Sequence, residues 1–149
     1  MVGMQKMRVY LDNCCFNRPF DDQSQARVRL EAEAKLEIQQ RNKEKQIELA
    51  WSYVLDHESQ ANPFEERRDV VARWKTAAAV DVEETGAIVQ RAREIANRGL
   101  RAKDALHVAC AMAAGCDFFL TTDDFVVKRM RGFAGIAVMD PTQFIVEVE

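Results

Sequence analysis

The sequence predicts an α/β domain whose central sheet is mostly parallel. Two observations support this prediction. Short apolar segments with the length of buried strands alternate with longer segments of helical character, and acidic side chains directly follow two of those strands. The carboxyl ends of parallel strands meet at one edge of the sheet, where the working site of such a domain lies. The chain has 149 residues, 48% of them hydrophobic, which suffices for a single domain with its own core.

Apolar runs bounded by polar or turn-forming residues predict the strands. Residues 118–122 are the strongest run, and Asp123 stands at its carboxyl end. Residues 79–82 fit either a strand or a linker. After the first strand, residues 13–22 are predicted to form a polar turn. The predicted strands cover residues 8–11, 47–51, 79–82, 118–122 and 136–139.

Helices are predicted between the strands. Residues 27–39 alternate apolar and charged side chains, which is the strand period, but their Ala, Glu, Leu and Lys content and their i,i+4 apolar rows favour a helix. Ser52 is a predicted cap for a helix that runs to about residue 60. Asn62 is a predicted cap for the next helix, with Pro63 as its first helical residue. Two more predicted helices cover residues 85–97 and 102–114. A short helix is predicted after Asp123, and a final helix is predicted to begin at Asp140-Pro141.

Composition excludes several classes of protein. No apolar stretch approaches the roughly 20 residues of a membrane helix. Residues 1–7 lack the apolar region of a signal peptide and are predicted to be a poorly ordered leader. Four cysteines do not suit a disulfide framework, so we expect a reduced, cytoplasmic protein. The net charge of −3 argues against indiscriminate coating of nucleic acid, although residues 91–131 carry eight Lys or Arg against five Asp or Glu.

Four acidic side chains are candidates for one metal site. Asp12 and Asp123 follow predicted strands, and Asp104 lies in the first turn of an apolar helix. Glu58 lies near the end of a helix, where its charge opposes the helix dipole, and Asp56 competes with it for the same role. Taken singly, Asp12, Asp104 and Asp123 also fit ordinary cap or turn residues, whereas the unfavourable placement of Glu58 is weak evidence of function. Clustered together, they would repel one another unless they held a divalent cation, which is the equipment for phosphodiester hydrolysis.

Other constellations are weaker. His107 and Cys110 lie three residues apart on a helix, but without a Cys-x-x-Cys pair they give little support to a zinc site with Cys14 or Cys15. We predict that His107 is a packed or hydrogen-bonded core residue rather than a general base. Both tryptophans are interleaved with aliphatic residues and are predicted to lie in the core.

In combination, these segments resemble the PIN domain family of metal-dependent nucleases, which includes the VapC-like toxins of bacterial toxin–antitoxin pairs. The resemblance runs from about residue 8 to residue 139 and implies a three-layer α/β/α sandwich with a mostly parallel central sheet. The matching segments are Tyr10-Leu11-Asp12, residues 52–58, residues 103–109 with Ala113-Ala114-Gly115, and residues 119–123.

The resemblance also implies roles for individual residues. Asp12, Glu58, Asp104 and Asp123 would hold one or two Mg²⁺ or Mn²⁺ ions. Asp124 would replace Asp123 or supplement it through water. Relatives usually carry Thr or Ser and then Asn or Ser after the first acid, whereas this chain has Asn13 and Cys14, so a hydroxyl is missing at that point. The candidate substrate contacts are Asn13, Arg18, Arg101, Lys103, Thr122, Lys128 and Arg129.

The activity that the resemblance implies is cleavage of RNA to leave a 5′-phosphate and a 3′-hydroxyl. It also implies a homodimer and an antitoxin partner that covers the cleft. Two alternatives stay open: a PIN fold that binds nucleic acid or a partner without turnover, and a PIN nuclease that acts on DNA or in RNA maturation. Four acidic side chains favour an enzyme, because clustered negative charge alone would repel phosphate.

Overall fold

The computed structural model describes residues 6–148, which form a five-stranded sheet. Neighbouring strands are all parallel, in the order β3-β2-β1-β4-β5. This confirms the predicted α/β class, and residues 80–82 form a strand rather than a linker. Residues 1–5 of the predicted leader lie outside the described residues, and Met7 begins β1. The strands are β1 (Met7–Leu11), β2 (Ile47–Ser52), β3 (Val80–Val82), β4 (Phe118–Leu120) and β5 (Ala137–Met139).

Helices connect the strands and cover the sheet, which gives the three layers of an α/β/α sandwich. The helices α5 and α6 pack on each other, as do α2 and α8. The α-helices are α1 (Asn13–Asn17), α2 (Ala26–Lys43), α3 (Tyr53–Ala61), α4 (Glu65–Ala77), α5 (Gly86–Ala96), α6 (Ala102–Ala113), α7 (Asp124–Arg129) and α8 (Pro141–Val148), with a 3-10 turn at Arg18–Phe20.

The polar turn predicted for residues 13–22 is wrong in its first half, which is helical. The Asp12 side chain caps α1 by accepting a hydrogen bond from the backbone N–H of Asn13 at 2.8 Å. Cys15 and Phe16 on this helix are buried in the core. A short helix with one apolar face therefore replaces the turn, because burial of that face stabilises the helical conformation.

The predicted start of α4 is also wrong. The helix begins at Glu65, and its N-terminal cap position is Phe64 rather than Asn62. Asn62 has extended backbone angles, φ −72° and ψ 123°, which the following Pro63 favours on steric grounds. The Asn62 side chain instead accepts a hydrogen bond from the Phe64 backbone N–H at 3.0 Å. This local turn holds residues 62–64 outside the helix.

The core lies on both faces of the sheet. The β1 residues Val9, Tyr10 and Leu11 are almost completely buried, and Trp51 and Trp74 are buried as predicted. All four cysteines are free thiols. No helix in the described part of the chain combines the length and apolarity needed to cross a bilayer.

Candidate active site

A cleft of about 640 Å³ opens at the carboxyl edge of the sheet, beside the ends of β1 and β4. The four acidic residues predicted to form one site all line it. Two predicted substrate contacts, Asn13 and Lys103, line it as well. The lining acids are Asp12, Glu58, Asp104 and Asp123.

Asp12 is held at the end of β1 by neutral donors. One carboxylate oxygen caps α1, and the other accepts a hydrogen bond from the Thr121 hydroxyl at 2.9 Å. The Cys14 thiol lies 3.5 Å from that second oxygen. Thr121 also accepts a hydrogen bond from the backbone N–H of Asp123 at 3.1 Å, so it links the ends of β1 and β4. A hydroxyl is thus present beside Asp12 although none follows it in the sequence, and it belongs to Thr121, the residue directly after β4.

Glu58 reaches the cleft from α3 and hydrogen-bonds His107 of α6 through Nε2. Because a carboxylate can only accept, Nε2 is the donor. The other ring nitrogen, Nδ1, lies 2.6 Å from the Tyr10 hydroxyl, which lies 2.6 Å from the Ser52 hydroxyl. Burial raises the pKa of Tyr10 well above its usual value, so this hydroxyl keeps its proton. With the Tyr10 proton directed at Nδ1, His107 accepts from Tyr10 and donates to Glu58.

His107 is a site residue that the sequence reasoning did not identify as one. It is a hydrogen-bonded core residue, 1% exposed, as predicted. Its Nε2 nevertheless lies 3.7 Å from an oxygen of Asp12 and contacts Glu58, two acids that line the cleft. The available signal was its position three residues after Asp104, which places both side chains on one face of α6.

Asp104 shows the electrostatic character of the cleft. Burial raises the pKa of its carboxyl group, and the charges of Asp12 and Asp123 raise it further. His107 and Arg101 oppose this shift. Asp12 and Asp123 thus repel the Asp104 carboxylate inside the cleft, and an added cation would relieve that repulsion.

Asp123 and Asp124 are neighbours in sequence but have separate surroundings. Asp123 caps α7 by accepting a hydrogen bond from the Phe125 backbone N–H at 2.9 Å, and it lines the cleft. Asp124 is an exposed residue paired with Arg27, with both of its oxygens 2.6 Å from the guanidinium. This pairing lowers the pKa of Asp124. Asp124 lies outside the cleft lining, so the structure does not bring it to the predicted metal site.

Several predicted substrate contacts lie away from the cleft lining. Arg18 pairs with Asp21 and Glu31. The Thr122 backbone carbonyl accepts a hydrogen bond from Arg27 at 3.2 Å. Arg101 is exposed at the start of α6, where its charge acts on Asp104. Lys128 lines a separate shallow pocket, and the Arg129 guanidinium lies 5.1 Å from the ring centre of Phe125.

The structure also separates Glu58 from its competitor Asp56. The Asp56 carboxylate accepts a hydrogen bond from the Trp51 indole at 2.9 Å and pairs with Lys75 at 3.0 Å. Asp56 therefore stabilises the junction of β2, α3 and α4, whereas Glu58 faces the cleft.

The donor set fits a divalent cation. Ligand atoms of Asp12, Glu58 and His107 lie within 4.8 Å of one another. Carboxylate oxygens are the ligands that Mg²⁺ and Mn²⁺ prefer, whereas the Nε2 of His107 carries the proton that is donated to Glu58. Asp104 and Asp123 line the same cleft and add two further carboxylates. The cleft therefore offers more negative than positive side chains to a cation.

A family model for the PIN domain matches residues 9–131, most of the chain. The chain belongs to the PIN domain family. In this PIN domain the matched segment contains all four acids of the cleft.

Solved structures share the fold of this PIN domain at low sequence identity. A chain of VapBC2 from Rickettsia felis, bound to a DNA fragment from its promoter, is 13% identical with a TM-score of 0.58, covering 90% of this chain and 98% of that one. A chain of DNA-bound VapBC from Salmonella typhimurium is 16% identical with a TM-score of 0.55, covering 91% and 98%. PAE2754 from Pyrobaculum aerophilum is 15% identical with a TM-score of 0.53, covering 95% and 90%. No curated protein matches the sequence.

Proposed function

We propose that this PIN domain is an endoribonuclease that hydrolyses RNA phosphodiester bonds with Mg²⁺ or Mn²⁺ held by Asp12, Glu58, Asp104 and Asp123. One observation carries the proposal. Four acids from separate segments line one cleft, where burial and the charges of two of them raise the pKa of Asp104. A cleft that only bound phosphate would gain nothing from this repulsion.

The chain's own residues would prepare the site for the cation. Thr121 and the α1 backbone orient Asp12, and His107 orients Glu58. Lys103 on the cleft wall would attract the phosphate backbone. When bound, the divalent ion would activate water and neutralise charge developing on the phosphate.

We further propose a VapC-like toxin role, in the cytoplasm, with an antitoxin protein as partner and a homodimer as the working form. The support is the likeness in fold to chains of VapBC complexes over nine-tenths of this chain. Because the cleft is open and lined by charged groups, a partner segment laid across it would block access of RNA to the acids.

The test incubates purified protein with mixed RNA and single-stranded DNA in Mg²⁺, in Mn²⁺ and with a chelator. We expect metal-dependent cutting of RNA, abolished in Asp123→Asn and unaffected in the control Glu94→Gln, which removes an exposed carboxylate on α5. Cutting that survives the chelator or the Asp123→Asn change would contradict the proposed centre. If the protein prefers DNA, the proposed metal site stands but RNA is not the substrate.

A further inference from the structure

The lining of the cleft includes an aromatic ring and an arginine besides the acids. The guanidinium of Arg67 lies 4.5 Å from the ring centre of Phe64 and 5.1 Å from that of Phe20. Phe64 and Arg67 line the same cleft as Asp12 and Asp104. We call Phe20, Phe64 and Arg67 the rim platform. No part of the metal site explains it.

The rim platform is held in place by hydrogen bonds. Arg67 donates from Nη2 to the Phe20 backbone carbonyl at 3.4 Å. The turn before Phe64 is fixed from both sides, because Arg68 donates to the Asn62 carbonyl at 2.6 Å and the Asn62 side chain accepts from the Phe64 N–H at 3.0 Å. Phe64 is therefore presented by a fixed turn that precedes α4, at little further cost in ordering on binding.

Phe64 is 51% exposed at the cleft. The cation of Arg67 lies over the ring, and half of the side chain remains open to solvent. An exposed ring beside an arginine is the arrangement on which unpaired nucleobases stack, while the arginine attracts phosphate.

We propose that the rim platform binds the base of one single-stranded nucleotide flanking the scissile phosphate, with Phe64 as the stacking surface. This inference rests on the proposed ribonuclease function and adds the state of the substrate: single-stranded RNA at that position. In a duplex both faces of each base are covered by neighbours, so a paired base cannot reach Phe64. The charge of Arg67 favours nucleic acid over an apolar protein segment as the occupant.

The test compares wild-type protein with Phe64→Leu, Phe64→Trp and Phe125→Leu. Leu keeps apolar volume and removes the ring, whereas Trp keeps a stacking surface. Phe125 is the matched control, because it is 44% exposed and also lies under an arginine, Arg129, but faces a different pocket. Melting temperature and circular dichroism establish that each variant folds.

The substrates are short single-stranded RNAs of one sequence, intact or with one abasic nucleotide at each position in turn. With intact RNA we expect Phe64→Leu to lower kcat/KM about 5- to 100-fold, mainly through KM, the range that loss of one stacked base implies. Phe64→Trp and Phe125→Leu should stay close to wild type. At one position the abasic RNA should bind weakly to wild-type protein. With that RNA, Phe64→Leu should cause no further loss of kcat/KM, because the missing base and the missing ring remove the same contact.

The outcomes separate the two proposals. If wild-type protein cuts RNA and Phe64→Leu matches it on every RNA, the rim platform inference is overturned while the proposed function stands. If no RNA is cut, fluorescence anisotropy with the same intact RNAs in Mg²⁺ measures binding instead. If Phe64→Leu weakens binding of the intact RNA and the abasic RNAs locate that loss at one position, the stacking contact is supported even though no cleavage is seen. The inference is also overturned if Phe64→Leu has an equal effect on the intact RNA and on every abasic RNA.

Discussion

Two buried carboxylates, Asp12 in the cleft and Glu31 on α2, have opposite surroundings. Glu31 is 1% exposed and accepts from Arg18 at 3.0 Å and from Arg27 at 3.3 Å. Asp12 is 8% exposed and receives a backbone amide, a hydroxyl and a thiol, with His107 at 3.7 Å. The fold thus supplies two permanent cations to Glu31 and neutral donors to Asp12.

The charged neighbours of the cleft acids also differ from those of Glu31. In the described part of the chain, the ion pairs of the four cleft acids involve only His107. At Glu31, burial and the nearby Asp140 raise the pKa to about 7, against the lowering effect of the two arginines. The comparison teaches that the protein itself supplies cations to Glu31, whereas the cleft acids are left for the added cation that we propose.

The largest expected effect comes from removing a charge in the cleft. Asp104→Asn should lower kcat for RNA cleavage at least roughly 100-fold, the scale for losing one key electrostatic group. Without metal the variant should melt no lower than wild type, since the change removes repulsion by Asp12 and Asp123. Mg²⁺ should raise the melting temperature of wild type but not of the variant.

Cleavage assays and thermal melts with and without Mg²⁺ measure this prediction. The control Glu94→Gln should match wild type in both. Turnover by Asp104→Asn comparable to wild type, or a melting temperature clearly below it without metal, would break the distinction between the cleft and the Glu31 site.

A smaller effect is expected from the hydrogen bonds beneath the cleft. Tyr10→Phe leaves His107 Nδ1 and the Ser52 hydroxyl without their shared partner in a buried position. We expect a loss of about 1–2 kcal/mol in the free energy of unfolding, the cost of buried unsatisfied groups. Mn²⁺ affinity should fall about 10-fold, because His107 no longer holds Glu58 as firmly.

Urea unfolding and isothermal titration with Mn²⁺ test the Tyr10 prediction. The matched control is Tyr53→Phe, since the Tyr53 hydroxyl is buried and, among the described residues, has no hydrogen-bond partner. That change should cost little or stabilise the protein. Equal effects of the two substitutions would show that Tyr10 acts through packing alone.

At the Glu31 site we expect a pH dependence of stability without an effect on the cleft. The pKa of Glu31 is raised to about 7 in the folded protein, above its unfolded value, so the folded state holds the extra proton. The associated stability is fully present below the unfolded pKa and is lost as pH rises through about 7. Relative to Glu31→Gln, wild-type protein should lose on the order of 3 kcal/mol in the free energy of unfolding between acidic and mildly alkaline pH.

Urea unfolding of both proteins across this pH range measures the difference. Contributions from Asp104 and other groups present in both proteins cancel in it. Parallel profiles for wild type and Glu31→Gln would mean that the two arginines alone neutralise Glu31. The contrast with the cleft would then become sharper still.

Sequence reasoning located most of the cleft. Asp12 and Asp123 directly follow apolar strands, and Asp104 lies in the first turn of α6, so their places follow from local pattern and parallel topology. The start of α4 was missed, because the Asn62 side chain forms a turn where a cap was expected. Thr121 and Tyr10 were missed because their hydroxyls act on partners about 100 residues away.

By itself the sequence determined the order of strands and helices and the acids at the strand ends, because these depend on neighbours within a few residues. Only the tertiary structure decided which charges meet. Asp123 and Asp124 are adjacent, yet Arg27, 97 residues from Asp124, pairs with one and leaves the other in the cleft. The partner of a long basic side chain depends on how distant elements pack, and the local sequence pattern does not determine that packing.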